Sequence, residues 1–238
     1  MKLLIVPFIG IALSIGLVIW WWQPVDERFD ADTISALNEN GETADANAVP
    51  MLDEVPAGTY TVRPEGSIVR WAGQKPLISG YVNSGSIAVS SGSIMVAEEG
   101  AVTGSFEIDM LTLSVSGTPT KPGQETALEG HLRGERWFDV NTFTTAGFEI
   151  IEATEVTGVS GRTHDIRGTL TMKGETHEVS FPANVRVNEN GILTATASFE
   201  IDRTLWGITA GSGSFFDNLA DNVISDMVAI SFNLVAEQ

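Results

Sequence analysis

The sequence predicts an all-β domain of antiparallel strands, preceded by an apolar N-terminal helix. Three observations predict it. From Thr59 onward, apolar and polar residues alternate with period two. Glycine-bearing turns separate the alternating segments. Leu3 to Trp22 forms an uncharged apolar run of 20 residues.

Taken in order, the first element is that run. As a helix it would span ~30 Å, the hydrocarbon thickness of a bilayer. Pro7 stands near its start, where it disturbs a helix least. Trp20, Trp21 and Trp22 suit a membrane interface, and Lys2 before the run with Asp26, Glu27 and Asp30 after it keeps the N-terminus cytoplasmic. A cleaved signal peptide would end in small residues rather than tryptophans. We therefore expect residues 1–22 to be an uncleaved transmembrane anchor. The expected location is a bacterial cytoplasmic membrane, single-pass, with the remainder on the periplasmic side.

Residues 23–56 carry nine acids against one base, Arg28. With few large apolar residues to bury, this segment reads as a flexible, acidic linker. Residues 57–238 are the domain. Its inward sets are Val69 and Trp71; Val102, Phe106 and Ile108; Ile166, Leu170 and Met172; Val179, Phe181, Val185 and Val187; Ala195, Ala197, Phe199 and Ile201; and Val228, Ile230, Phe232 and Leu234. The Met172–Thr176 and Asn188–Gly191 turns place glycine where hairpins need positive φ. A short amphipathic turn of helix is expected at Leu128 and Leu132. This pattern fits either a sandwich or an up-and-down barrel. Gly104, Gly168, Ala195 and Ala197 on the inward face leave room for a cavity.

Composition removes several functions. The chain has no cysteine, which excludes disulfides, thiolate metal sites and cysteine nucleophiles. A formal net charge of −18 repels nucleic acid. The three histidines, His131, His164 and His177, show no metal-ligand spacing. His131 is read as a packing or loop-bonding residue. Gly211–Ser214 is neither a nucleophile elbow nor a dinucleotide loop, and reads as a turn. Asp139, Asp202, Asp217, Asp221 and Asp226 read as turn and cap residues. No acid, base and nucleophile set emerges. The expectation is a binding protein with no cofactor, not an enzyme.

Four blocks in order carry a resemblance. They are WAGQK (71–75), LEGHLRGERWFDVNTFTTAGFEI (128–150), HDIRGTLTMKGETHEVSFPANV (164–185) and FEIDRTLWGITAGSGSFFDNLADNVISD (199–226). They are similar to the "W.G.K", "HL+S..FFD...YP...F", "GDLT..GVT..V" and "F.IDR..WGI..GSG.FFD.L.D..I.D" signatures of the YceI-like family. The resemblance implies an eight-stranded lipocalin-like barrel that binds a long-chain isoprenoid lipid or quinone in an apolar interior. It implies ligand contacts from Val69, Trp71, Phe106, Ile108, Phe138, Leu170, Phe181, Phe199, Trp206 and Phe232. A polar head would meet Lys75, Arg133, Arg136 or Arg203 at the mouth, although Arg203 also reads as a structural salt bridge. Large aromatics such as Trp137, Phe215 and Phe216 equally suit plain core. The chain departs from the family at Asn83, where a histidine is common, at Thr144-Thr145 in place of "YP", and in lacking the helix lysine. Two rival readings remain: an interaction module with a filled barrel that engages a membrane partner, and an enzyme using His131 with Asp139 or Asp202.

Overall fold

The computed structural model describes Phe29, Met51, Leu52, residues 54–217 and residues 219–238. The predicted anchor (1–22) and most of the predicted linker lie outside the described residues. Among the described residues, no helix is long and apolar enough to cross a membrane.

The domain is a closed antiparallel barrel with one short helix. Its strands are β1 (Gly58–Val62), β2 (Ile68–Gln74), β3 (Val82–Val96), β4 (Val102–Gly117), β5 (Thr145–Glu155), β6 (His164–Met172), β7 (Glu175–Val187), β8 (Ile192–Asp202) and β9 (Met227–Glu237). The helix α1 (Glu125–Arg133) connects β4 to β5. From β3 to β9 each strand pairs with its sequence neighbour; β2 bridges β9 and β3, and so closes the ring. Nine strands fill eight positions. β1 and β2 both pair with β3 on one side and β9 on the other, so they are two pieces of one interrupted strand. Ser67 stitches the interruption: its hydroxyl donates to the Arg63 carbonyl and accepts from Val235 N.

Period-two alternation puts the predicted sets inside, and the buried core joins both ends of the barrel. The longest strands, β3 and β4, change face midway. On β3 the buried set moves from Ile87 and Val89 to Ile94 and Val96, and on β4 from Phe106, Ile108 and Met110 to Leu113 and Val115. Register shifts between the two strands accommodate the extra residues. Thr112 secures one irregularity, its hydroxyl accepting from Ala88 N at 2.8 Å and donating to the Asp109 carbonyl at 2.7 Å. Both predicted turns are present. Lys173 and Gly174 both take positive φ between β6 and β7, as a two-residue hairpin requires.

Inward glycines admit neighbouring backbone and aromatic residues. A Cβ on Gly168 would lie 2.3 Å from Phe148 Cζ and 2.4 Å from the Glu149 carbonyl oxygen. One on Gly92 would lie 2.7 Å from Phe106 Cβ, and one on Gly85 would lie 2.6 Å from the Trp71 indole. The room expected at Gly168 and Gly104 is thus taken by adjoining strands and rings, because a strand without a Cβ lets its neighbour approach. Gly168→Ala is expected to destabilise the domain by about 1–3 kcal/mol, as overpacking does. Urea unfolding should show a lower midpoint with an unchanged slope.

Two points in the 23–56 segment lie against the barrel. Phe29 is buried on the outer wall against Ala72, Ala229 and Val82, and its N–H donates to Glu200 Oε1 at 2.8 Å. Met51 bridges Asn188, and Leu52 N donates to the Val187 carbonyl at 2.7 Å.

Candidate functional site

One end of the barrel gathers α1 and the loops at 75–81, 134–144 and 203–226, because β2, β4, β6 and β8 all end there. α1 packs on β4. Leu132 is buried, Arg133 Nη2 donates to the Leu113 carbonyl at 2.7 Å, and Val115 N donates to Glu129 Oε2 at 3.3 Å. Beneath this end lies a cavity of about 190 Å³. Its walls are almost wholly apolar and come from all eight strand positions. Leu128 and Leu132 of α1, with Trp137, Phe138, Ile208 and Ile224 from the loops, complete it. Its polar edge includes Gln74, Lys75, Tyr81 and Asn83.

The structure brings nine of the ten predicted contact residues to this cavity: Val69, Trp71, Phe106, Ile108, Phe138, Leu170, Phe181, Phe199 and Phe232. Trp206 goes elsewhere. It sits in a short 3-10 turn (Arg203–Trp206) and is fully buried. Its Nε1 donates to the Leu170 carbonyl at 3.0 Å, and its ring meets His177 edge-on. Turn geometry rather than strand alternation sets its direction, which is why the sequence misplaces it. Val179, Ile201, Val228 and Ile230 also line the cavity; alternation put them on the inward face without marking them as contacts. Ile208 and Ile224 lie in loops, where no periodicity points to them.

Among the four predicted head-group bases, the structure separates two roles at the cavity. Lys75 Nζ reaches Asn222 Oδ1 at 3.3 Å and sits 5.0 Å from the Tyr81 ring, at the polar edge. Arg203 is 3% exposed and tied into the loop region. Its Nε donates to the Ser225 carbonyl at 2.9 Å, its Nη1 to the Ile208 carbonyl, and its Nη2 to the Ile224 carbonyl at 3.1 Å and to Asp226 at 3.4 Å. Arg133 pairs with Glu129, and Arg136 is exposed. Trp71 brings a different donor: its Nε1 is buried and has no hydrogen-bond partner among the described residues.

A second cavity of about 60 Å³ occupies the opposite end, lined by Val55, Val96, Val102, Ala183, Ala195 and His164 among others. Four phenylalanines, Phe106, Phe148, Phe181 and Phe232, line both cavities. They stand at the waist between them.

The remaining candidates separate. His131 is exposed on α1, so the packing role expected of it is corrected: its ring faces outward while Leu132 takes the buried position. Asp202 caps the 3-10 turn, accepting from Thr204 N at 2.9 Å and Thr204 Oγ1 at 2.6 Å. Phe215 and Phe216, weighed as core, are exposed in the 203–226 loop. Among the described residues, no group of His, Asp and Glu is placed to hold a metal ion.

His164 lies half-buried at the small cavity, with Nδ1 2.8 Å from Thr163 Oγ1. Burial holds its pKa below the ordinary value, outweighing the opposing pull of Glu155. A depressed folded-state pKa means that the unfolded chain takes up the proton first. The stability contributed by neutral His164 is therefore full above the usual histidine range and declines as pH falls through it. His164→Phe is expected to shrink the stability lost between pH 7.5 and pH 5, measured by urea unfolding of both proteins. An equal loss in both would contradict it.

Comparison with known proteins places the barrel. The family model of the YceI-like domain matches residues 60–236. The crystal structure of Burkholderia cenocepacia BcnA is similar with a TM-score of 0.54 at 21% identity, over 73% of this chain and 98% of that one. A polyisoprenoid binding domain from Saccharophagus degradans, implicated in plant cell wall breakdown, is similar with a TM-score of 0.52 at 18% identity, over 75% of this chain and 97% of that one. At these identities the likeness is one of fold. No curated protein matches the sequence.

Proposed function

Because the chain belongs to the YceI-like family, we propose that its barrel binds an isoprenoid lipid, of polyprenyl or isoprenoid quinone type, and sequesters or carries it without chemical turnover. The observation that carries this reading is the hollow, almost wholly apolar chamber of about 190 Å³, enclosed by aromatic and aliphatic side chains. Such a chamber attracts hydrocarbon at roughly 0.8 kcal/mol per buried methylene-sized group, without any charged contact. Branched prenyl chains suit walls built of phenyl rings and branched aliphatics. The unpartnered Trp71 indole N–H supports an oxygen-bearing head, a hydroxyl or a carbonyl, and Lys75 stands at the polar edge of the same chamber. The Saccharophagus degradans domain, which shares the fold, is a polyisoprenoid binding domain and points the same way.

The apolar run Leu3–Trp22 anchors this carrier in the cytoplasmic membrane, with the barrel on the outer side. A lipid carrier held at its source works at high effective concentration.

The test is solvent extraction and mass spectrometry of the purified full-length chain and of Leu170→Trp, which fills the chamber. An isoprenoid recovered from the wild type and depleted at least about tenfold from the variant is expected. Equal recovery from both would place any bound lipid outside the chamber, and a wild type that neither carries nor takes up prenols or quinones would overturn the reading.

A further inference from the structure

The lipid chamber has a floor. Phe106 on β4, Phe148 on β5, Phe181 on β7 and Phe232 on β9 project to the same level from different sides of the barrel. Their ring centroids lie 5.3 Å apart for Phe106 and Phe148, 6.1 Å for Phe106 and Phe232, 5.6 Å for Phe148 and Phe181, and 5.5 Å for Phe181 and Phe232. The contacts thus form a closed circuit, and Phe199 stacks on Phe181 at 4.3 Å from the chamber side. The Phe148 ring is seated over Gly168, and the Phe106 Cα and Cβ lie against Gly92. All four are buried. Their mutual contacts hold the four rings across the waist between the two cavities.

We propose that this phenyl floor is a chain-length stop, which selects short-tailed isoprenoids and keeps the small cavity behind it out of the binding site. The inference rests on the reading of the larger chamber as a lipid site. On β9 the chamber runs from Val228 to Phe232, roughly 14 Å along the strand and less along the tilted barrel axis. That depth takes only the first few prenyl units. A longer tail must either remain outside the mouth or break the ring circuit.

The experiment measures equilibrium binding of geraniol, farnesol, geranylgeraniol and undecaprenol to the full-length protein, to Phe181→Ala and to Ala195→Leu. Ala195 lines only the small cavity. For the wild type we expect affinity to rise from geraniol to farnesol and then to change by less than about threefold, since further methylenes reach no apolar wall. Ala195→Leu should reproduce the wild-type series, because the space it fills lies behind the floor. Phe181→Ala should open the floor and restore a gain of about tenfold or more beyond farnesol. If Phe181→Ala does not fold, Phe181→Leu provides a milder opening, and the Ala195→Leu comparison decides without either. Affinity that keeps rising with length in the wild type, and loses that rise in Ala195→Leu, would show that the tail threads both cavities and overturn the stop. A wild type that binds no prenol of any length fails the lipid reading itself.

Discussion

Replacing Arg203 by methionine is expected to destabilise the domain by about 3–5 kcal/mol, among the largest costs of any single exchange outside the strands. The guanidinium is 3% exposed and donates to three backbone carbonyls, those of Ile208, Ile224 and Ser225, as well as to Asp226. Methionine fills much of the volume but leaves these acceptors without their donor in a low-dielectric setting. The cost arises from that orphaning more than from the ion pair itself. Asp226 keeps the hydroxyl of Ser214 at 2.7 Å, so its carboxylate is not left bare. Lysine should recover less than half of the loss, because a single ammonium cannot reproduce a fork aimed at three carbonyls in different directions. The contrast is Lys75→Met at the cavity edge, where an exposed hydrogen bond to Asn222 should be worth no more than about 0.5 kcal/mol. Urea midpoints of the three variants test the ordering; a cost for Arg203→Met near that of Lys75→Met would refute it.

Arg203 also shows how far the sequence could be read. Its place in the "IDR" block suggested a structural ion pair within that block, but its carboxylate partner is Asp226, while Asp202 caps Thr204. Its main partners are carbonyls, however, and no residue type announces a carbonyl that faces inward. The strands were legible for the opposite reason. Alternation is a property of side chains, and burial acts on side chains, so all eight expected contact positions that lie on strands reach the larger cavity. The face changes on β3 and β4 were not legible, since a bulge depends on the register of two strands at once. The split of one strand position into β1 and β2 was hidden for the same reason. Interior glycines were read as vacancies, yet the space at Gly168 is filled by the Phe148 ring and that at Gly104 by the Ser93–Ile94 backbone, both from neighbouring strands. Pairing partners, not composition, determine whether a missing side chain leaves a void or a seat. Loop residues such as Ile224 and Trp206 lie beyond any periodic signal.

The second large effect is expected at the phenyl floor. Phe181→Ala should cost about 3–5 kcal/mol, the range for truncating a buried phenylalanine. Phe181 is 4% exposed and touches three other rings, at 5.6 Å to Phe148, 4.3 Å to Phe199 and 5.5 Å to Phe232. Each such pair contributes roughly 0.5–1.5 kcal/mol beyond area burial. With cavities already on both sides, the barrel has little material nearby to collapse into the gap, which holds the cost toward the upper end. Phe199→Ala is the informative counterpart. That ring is only partly buried, and it faces the chamber rather than closing the floor. Part of its surface is exposed in the native cavity, so truncation forfeits less burial and should cost about half as much. The difference also bears on ligand binding, because a prenyl chain in the chamber restores apolar neighbours to a truncated Phe199, whose ring faces the chamber alone, whereas the Phe181 site lies between the two cavities. Added farnesol should therefore raise the melting temperature of Phe199→Ala by at least as much as that of the wild type. Equal costs for the two truncations, measured by urea unfolding without lipid, would mean that Phe181 is one more wall residue, and that the barrel has a single continuous interior rather than a chamber with a floor.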